Sequence, residues 1–125
     1  SVGITGQLAG SRADIIIADD IEVPNNSMTQ GQRDKLSEAV KEFDAMLKPD
    51  GRIVYLGTPQ NQESLYNKLP DRGYILRVWP ARYPTGDQMV GYGQQLAPII
   101  TNSMAADDTL VGQPTDPLRF SDFDL

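Results

Sequence analysis

The chain has 125 residues, a net charge of −6, and neither cysteine nor histidine. This composition excludes disulfide bonds, thiolate metal sites and histidine-based chemistry, so any catalysis has to use carboxylates, Lys, Arg, Thr or Tyr. An acidic chain without a long basic cluster does not fit a protein whose whole surface binds nucleic acid. No apolar run approaches membrane-spanning length.

The first half of the chain predicts strands separated by a helix. Residues 2–5 are a short strand candidate, and residues 15–18 form an apolar run typical of a strand buried on both faces. Residues 30–47 carry apolar side chains at intervals of three and four, which predicts an amphipathic helix. Ser27 or Thr29 is expected to cap that helix.

The following residues continue the alternation. Residues 53–57 predict a second buried strand, residues 63–69 a short helix, and residues 75–79 a third strand. This order predicts an α/β fold with a mostly parallel sheet. After Pro84 the pattern becomes irregular, with a weak helix near residues 88–100, so we expect one structural part over residues 1–84 and a linker region over residues 85–125.

Polar groups follow both of the first two buried strands. Asp19 and Asp20 come directly after the apolar run, and Thr58-Pro59-Gln60 follows the second strand. Ligands bind at the carboxyl ends of parallel strands, and paired acids there are typical of the Walker B motif of P-loop ATPases. Either motif alone is equally typical of an ordinary turn after a strand, but the two in order, separated by one helix, are more specific.

At this point the chain resembles the large terminase subunit of tailed bacteriophages, and most closely the form found in short-tailed phages. The segments that carry the resemblance are Ile4-Thr5-Gly6-Gln7-Leu8, Gly10-Ser11-Arg12-Ala13-Asp14, Ile15-Ile16-Ile17-Ala18-Asp19-Asp20-Ile21-Glu22, Tyr55-Leu56-Gly57-Thr58-Pro59-Gln60, Trp79-Pro80-Ala81 and Pro114-Thr115-Asp116-Pro117. The resemblance implies the Walker B half of an additional-strand P-loop NTPase, a three-layer sandwich, followed by the linker that precedes a nuclease domain.

The resemblance also implies a role for each motif residue. Asp19 would bind a Mg²⁺ ion directly or lie in its second coordination shell. Asp20 would be the catalytic acid that orients the attacking water, and Glu22 is the second candidate for that role. Thr58 and Gln60 would form the coupling motif that senses the γ-phosphate of ATP. Arg12 would act on the nucleotide of a neighbouring subunit, and the alternative is an ordinary surface arginine paired with Asp14 or Asp20.

The implied protein is an ATP-hydrolysing motor that moves double-stranded DNA into a procapsid, with ATP and Mg²⁺ as cofactors. Its implied partners are the procapsid portal, the small terminase subunit and further copies of itself in a ring, in the host cytoplasm and without a membrane. Because the first residue is not Met and the chain opens inside a predicted strand, we expect the chain to be a fragment of a longer protein. We also expect this fragment to be inactive by itself.

One motif of such ATPases does not occur in these residues, namely the phosphate-binding loop G-x-x-x-x-G-K-[ST]. Two alternatives therefore stay open. One is a non-catalytic remnant or assembly subdomain, and the other is a related P-loop motor such as a helicase. We expect an exposed apolar edge if the strand of the phosphate loop does not cover the sheet.

Overall fold

The computed structural model describes residues 12–125, so the strand predicted at residues 2–5 lies outside the described residues. The chain divides into two compact units, the first ending at Tyr74 and the second spanning Ile75–Leu125. In chain order the elements are β1 (Ala13–Asp19), α1 (Pro24–Ser27), α2 (Gln30–Met46), β2 (Leu47–Leu56), α3 (Leu65–Lys68), α4 (Gly86–Tyr92) and α5 (Pro98–Ala106), with 3-10 turns at Leu69–Arg72, Gly93–Gln95 and Asp108–Leu110.

The first unit contains a parallel pair of strands, β1 and β2, joined through α2. Their register runs from Ile15 opposite Arg52 to Asp19 opposite Leu56, so both strands end at the same edge. An irregularity precedes this stretch, where the chain of β2 bulges and Asp50 adopts a left-handed backbone with φ of 64°. The predicted α/β class with parallel pairing is confirmed.

Helix α2 covers one face of this sheet. Thr29 caps it by accepting a hydrogen bond from the Gln32 amide at 3.1 Å, which confirms one of the two predicted caps. Its buried side chains are Leu36, Val40 and Phe43, three of the residues that the predicted stripe contains. The core that they form also includes Ala18, Leu65, Tyr66 and Leu69, with Ile16, Ile53 and Tyr55 packed against it.

The other face of the two strands is apolar and exposed. Ile15 and Ile17 are 61% and 65% exposed, and Val54 and Leu56 are 43% and 50% exposed. These residues alternate with the inward-facing Ile16 and Ala18 on β1 and with Ile53 and Tyr55 on β2, as a two-residue period requires. Both β1 and β2 thus have apolar side chains on both faces, which is typical of strands that are covered on two sides.

The predicted third strand over residues 75–79 is wrong. Within this stretch Val78 makes one isolated parallel bridge, to Leu96, and the stretch belongs to the second unit. Ile75 and Trp79 are largely exposed. An apolar run becomes a strand only where a partner backbone is available for a ladder of hydrogen bonds, and here Leu96 supplies a partner at a single position.

The second unit contains more regular structure than the predicted irregular linker. Helices α4 and α5 flank a break at Gly93–Ala97, so the weak helix predicted near residues 88–100 is in fact two helices. Gly93 has a positive φ of 56°, and Pro98 begins α5, which explains the interruption. Leu96, Ala97 and Ile100 form the buried core of this unit. The functional boundary at residues 84 and 85 stays a prediction.

Candidate functional site at the carboxyl ends of the strands

The chain turns sharply where β1 ends. Asp19 is the last residue of β1 and lies opposite Leu56, the last residue of β2. Asp20 follows with a left-handed φ of 48°, a conformation that Asp tolerates better than most residues, and its amide donates to the Leu56 carbonyl at 2.9 Å. Both acidic side chains are exposed. The structure therefore brings two accessible carboxylates to the edge where β2 also ends, as the sequence predicts.

Glu22 lies in a different environment, although it is only two residues from Asp20. It is 2% exposed, and its carboxylate accepts hydrogen bonds from two backbone amides. One oxygen accepts from the Gln60 amide at 3.1 Å, and the other accepts from the Leu65 amide at 2.6 Å. Because β1 ends at Asp19, the strand alternation that would place Asp20 and Glu22 on one face does not continue to Glu22.

The loop after β2 holds the second predicted motif. Thr58 and Gln60 are exposed, and the Gln60 side-chain amide donates to the Thr58 carbonyl at 3.1 Å. Gln60 contacts Glu22 through its backbone amide and not through its side chain. The structure thus links the loop to Glu22 through the main chain of the loop.

Tyr66 packs against the start of this loop. A Cβ atom at Gly57 would collide with the Tyr66 hydroxyl and ring, so only glycine allows the close approach. The hydroxyl donates to the Leu56 carbonyl and accepts from the Glu22 amide, each at 3.4 Å. Burial raises the pKa of Tyr66 above its ordinary value, and the charges of Glu22 and Asp20 act in the same direction.

Arg12 lies far from these acids in the fold. It precedes the first residue of β1, whereas Asp20 follows the last, so a strand of this length separates them by roughly 20 Å. Its guanidinium donates to the Ala45 carbonyl near the end of α2 at 3.1 Å. The nearby Asp14 instead contacts Lys48 at 3.4 Å. The structure does not bring Arg12 together with the other predicted site residues of its own chain.

A further set of contacts joins the segment after β1 to the loop after β2 and to α2, and no pattern in the sequence predicts it. The Ser27 carbonyl accepts from the Asn61 side chain at 3.2 Å and from the Arg33 guanidinium at 3.1 Å. Ser27 is fully buried, and its hydroxyl donates to the Val23 carbonyl at 2.7 Å. The density of Asn and Ser in residues 25–27 indicates a turn, but nothing in it points to a partner more than 30 residues away.

Within residues 12–125 no group of three or more acidic side chains is arranged to hold a metal ion. The exposed pair Asp19 and Asp20 is the donor set that the strand ends offer. Mg²⁺ in phosphate-processing sites commonly takes one or two carboxylates and completes its shell with water and substrate phosphates, so this pair fits such an ion. No described helix is long and apolar enough to cross a membrane.

The comparisons with known proteins concern the chain as a whole. No family model matches the chain. The chain is 55% identical over 130 aligned residues to a terminase large subunit of Enterobacteria phage T3, and the alignment includes all of this chain and 22% of that relative. It therefore spans about a fifth of the length of the curated relative that it matches. The resemblance identified from the sequence is confirmed, because the whole chain is similar to part of a large terminase subunit.

Proposed function

We propose that this chain forms the Walker B and coupling part of the ATPase of a viral DNA-packaging motor. The observation that carries the proposal is the shared edge of β1 and β2, which places Asp19 and Asp20 beside the loop of Thr58 and Gln60. The similarity to a terminase large subunit supports it independently, and favours a terminase over a helicase. In the proposed protein, ATP hydrolysis drives double-stranded DNA into a procapsid.

Asp19 is proposed to hold Mg²⁺, and Asp20 is proposed to orient the water that attacks the γ-phosphate of ATP. The ion would neutralise charge on the phosphates, while the chain supplies the position of the acid. Asp20 is favoured over Glu22 because its carboxylate is exposed, whereas both oxygens of Glu22 accept hydrogen bonds from backbone amides. Glu22 is also only 2% exposed, so its carboxylate is poorly placed to contact an attacking water.

Thr58 and Gln60 are proposed to sense the γ-phosphate. Their exposure and their place directly after β2 support this assignment. Arg12 is proposed to act on the nucleotide of a neighbouring subunit in a ring. Its position at the far end of β1 from Asp20 favours action between subunits over action within one.

The proposed fold of the complete ATPase is a three-layer P-loop sandwich. The exposed aliphatic face of Ile15, Ile17, Val54 and Leu56 supports it, because a second covering layer would bury these side chains. The proposed partners are double-stranded DNA, the procapsid portal, the small terminase subunit and further copies of the motor, all inside the infected host cell. This chain alone is expected to be inactive.

The test is ATP turnover with Mg²⁺, measured on this chain and on a large terminase subunit that carries it together with a phosphate-binding loop. We expect turnover only in the longer protein, and we expect Asp20→Asn to reduce it by at least about 100-fold, the scale of a lost catalytic base. Asp50→Asn is the matched control. Asp50 is also an exposed aspartate with a left-handed backbone, but it lies at the other end of the sheet.

Two results would contradict the proposal. Equal turnover of the Asp20→Asn variant and the unmodified protein would place the acid elsewhere. No turnover in either protein, with the fold intact, would favour a subdomain that serves assembly alone.

A further inference from the structure

Two chain segments meet at the carboxyl ends of the strands, and each carries one of the proposed functional motifs. The acidic segment comprises residues 19–27, and the sensor loop comprises residues 57–64. They are 30 or more residues apart in sequence, but three side-chain hydrogen bonds connect the acidic segment to the sensor loop and the residue after it. These are the bonds from the Gln60 and Leu65 amides to Glu22, and from Asn61 to the Ser27 carbonyl.

Glu22 is the centre of this connection. Each of its carboxylate oxygens binds a different part of the chain after β2, at Gln60 inside the loop and at Leu65, the first residue of α3. Hydrogen bonds to an ionised acceptor are stronger than those between neutral groups, and burial strengthens them further. Ser64 adds a conventional cap by accepting from the Tyr66 amide at 3.2 Å, so Glu22 is not needed merely to begin α3.

Tyr66 gives the connection a second support. Its hydroxyl bridges the Glu22 amide and the Leu56 carbonyl, while Asp20 donates its own amide to that same carbonyl. The end of β2 is thus bonded to Asp20 on one side and to Tyr66 on the other. The distances of 3.4 Å at the Tyr66 hydroxyl are long, so Glu22 provides the stronger link.

We infer that Glu22 is a positioning residue that fixes the sensor loop against the acidic segment, so that the two motifs move together. The inference rests on the proposed function, because it assigns Glu22 a role in relation to Asp20 and Thr58. Glu22 contacts neither nucleotide nor water in this role. It acts through the backbone of Gln60 and Leu65, whose geometry sets where the Thr58 and Gln60 side chains lie.

The first experiment measures amide hydrogen exchange in this chain and requires no activity. In Glu22→Gln the side-chain NH₂ replaces one acceptor oxygen, so one of the two amides loses its partner. We expect exchange at the amide that loses its partner, Gln60 or Leu65, to become at least about ten times faster, while the α2 amides of Val40 and Phe43 keep their rates. Glu22→Asp keeps both acceptor oxygens but is one methylene shorter, and it should give an intermediate increase.

Two control variants separate this effect from a general loss of negative charge. Glu63→Gln removes an exposed carboxylate from the sensor loop itself, one that contacts Lys68 at 3.6 Å. Asp20→Asn removes the neighbouring exposed acid while leaving its backbone amide in place. Both should leave exchange at Gln60 and Leu65 within about twofold of the unmodified chain.

The second experiment measures ATP turnover in a large terminase subunit that carries this segment. Glu22→Gln is expected to lower kcat by about tenfold or more while changing KM for ATP less than about threefold, because Glu22 orients the loop without binding the nucleotide. Glu22→Asp should restore part of kcat. If Glu22→Gln merely weakened folding, kcat would fall because fewer molecules are active. The partial recovery of kcat in Glu22→Asp would then not match its intermediate exchange rates at Gln60 and Leu65.

The two experiments keep the inference separate from the proposed function. Local acceleration of exchange combined with turnover that is insensitive to Asp20→Asn would overturn the proposed function and leave the link standing as structural. Unchanged exchange in Glu22→Gln, or equal acceleration in α2 for both Glu22 variants, would overturn the inference. Accelerated exchange with unchanged kcat would also overturn it, because the position of the loop would then be irrelevant to the reaction.

Discussion

Each unit contains a charged side chain that makes more than one hydrogen bond to a distant part of the chain, and these two side chains differ in burial. In the first unit the buried Glu22 accepts from the Gln60 and Leu65 amides. In the second unit Arg82 donates to the Gly112 carbonyl at 2.7 Å, to the Asp122 carbonyl at 2.8 Å and to the Asp122 carboxylate, but 35% of its side chain is exposed. Solvent therefore has access to the Arg82 guanidinium, whereas the Glu22 side chain is buried.

The same contrast extends to the whole of each unit. Among the described residues the buried polar or charged side chains are Glu22, Ser27 and Ser64, all in the first unit and all in the segments that follow β1 and β2. The buried core of the second unit consists of Leu96, Ala97 and Ile100. Buried polar groups are costly unless they are bonded, so their concentration at one edge of the sheet marks the region where precise geometry is maintained.

The largest expected effect tests the buried side of this comparison. Gly57→Ala would place a Cβ atom against the Tyr66 ring and hydroxyl, so the loop or the ring has to shift. We expect the free energy of unfolding of the first unit to fall by about 1–3 kcal/mol, the usual cost of overpacking. Urea denaturation followed by near-UV circular dichroism of the tyrosines measures it.

Gly31→Ala is the matched control in the same unit, because open space surrounds Gly31 in α2 and alanine is the better helix former there. It should stabilise the chain slightly. In a Tyr66→Ala background the Gly57→Ala change should add little further loss, since the two substitutions share one contact. Fully additive losses would show that Tyr66 is not the obstacle.

A smaller effect is expected on the exposed side of the comparison. Arg82→Met removes the hydrogen bonds to Gly112 and Asp122 but leaves those groups accessible to water. The expected loss is about 1 kcal/mol or less, because solvent screens an ion pair at this exposure. Trp79, the one tryptophan of the chain, lies in the second unit and reports its unfolding by fluorescence.

Arg77→Met serves as the control for Arg82→Met, because Arg77 is an exposed arginine whose guanidinium, within residues 12–125, donates to the adjacent Leu76 carbonyl at 3.3 Å. It should change the midpoint very little. A loss above about 2 kcal/mol in Arg82→Met would mean that an exposed link can match a buried one, which would break the comparison.

The sequence predicted the parts of the fold that follow from local pattern. The apolar run of β1, the stripe of α2 and the Thr29 cap are determined by neighbouring residues, and the structure confirms them. The third strand was predicted wrongly because residues 75–79 are apolar but have a backbone partner at Val78 alone. Pairing is a property of the whole fold, so no local pattern reveals it.

The candidate site was predictable to the same extent. Asp19 and Asp20 come directly after a recognisable strand, which placed them at its carboxyl end. The burial of Glu22 was not predictable, because its partners are the backbone amides of Gln60 and Leu65, and every residue except proline carries such an amide. The contacts of Asn61 and Tyr66 were not predictable for a related reason, since their partners are backbone groups distant in sequence.

The smallest expected effect is a pH dependence in the core of the first unit. Burial, followed by the influence of the adjacent Tyr74, raises the pKa of Tyr55 above its ordinary value near 10. Above that pH the unfolded chain releases the Tyr55 proton while the folded chain retains it, so the stability that Tyr55 contributes is fully present below pH 10 and falls as the pH rises further.

Tyr55→Phe removes this contribution, and its urea midpoint should fall less between about pH 8 and pH 11 than that of the unmodified chain. Some decline should remain, because the pKa of Tyr66 is also raised. Parallel declines of the two midpoints would show that Tyr55 titrates alike in both states, and the difference in burial between the two units would then lie in the strand-end contacts rather than in the core beneath them.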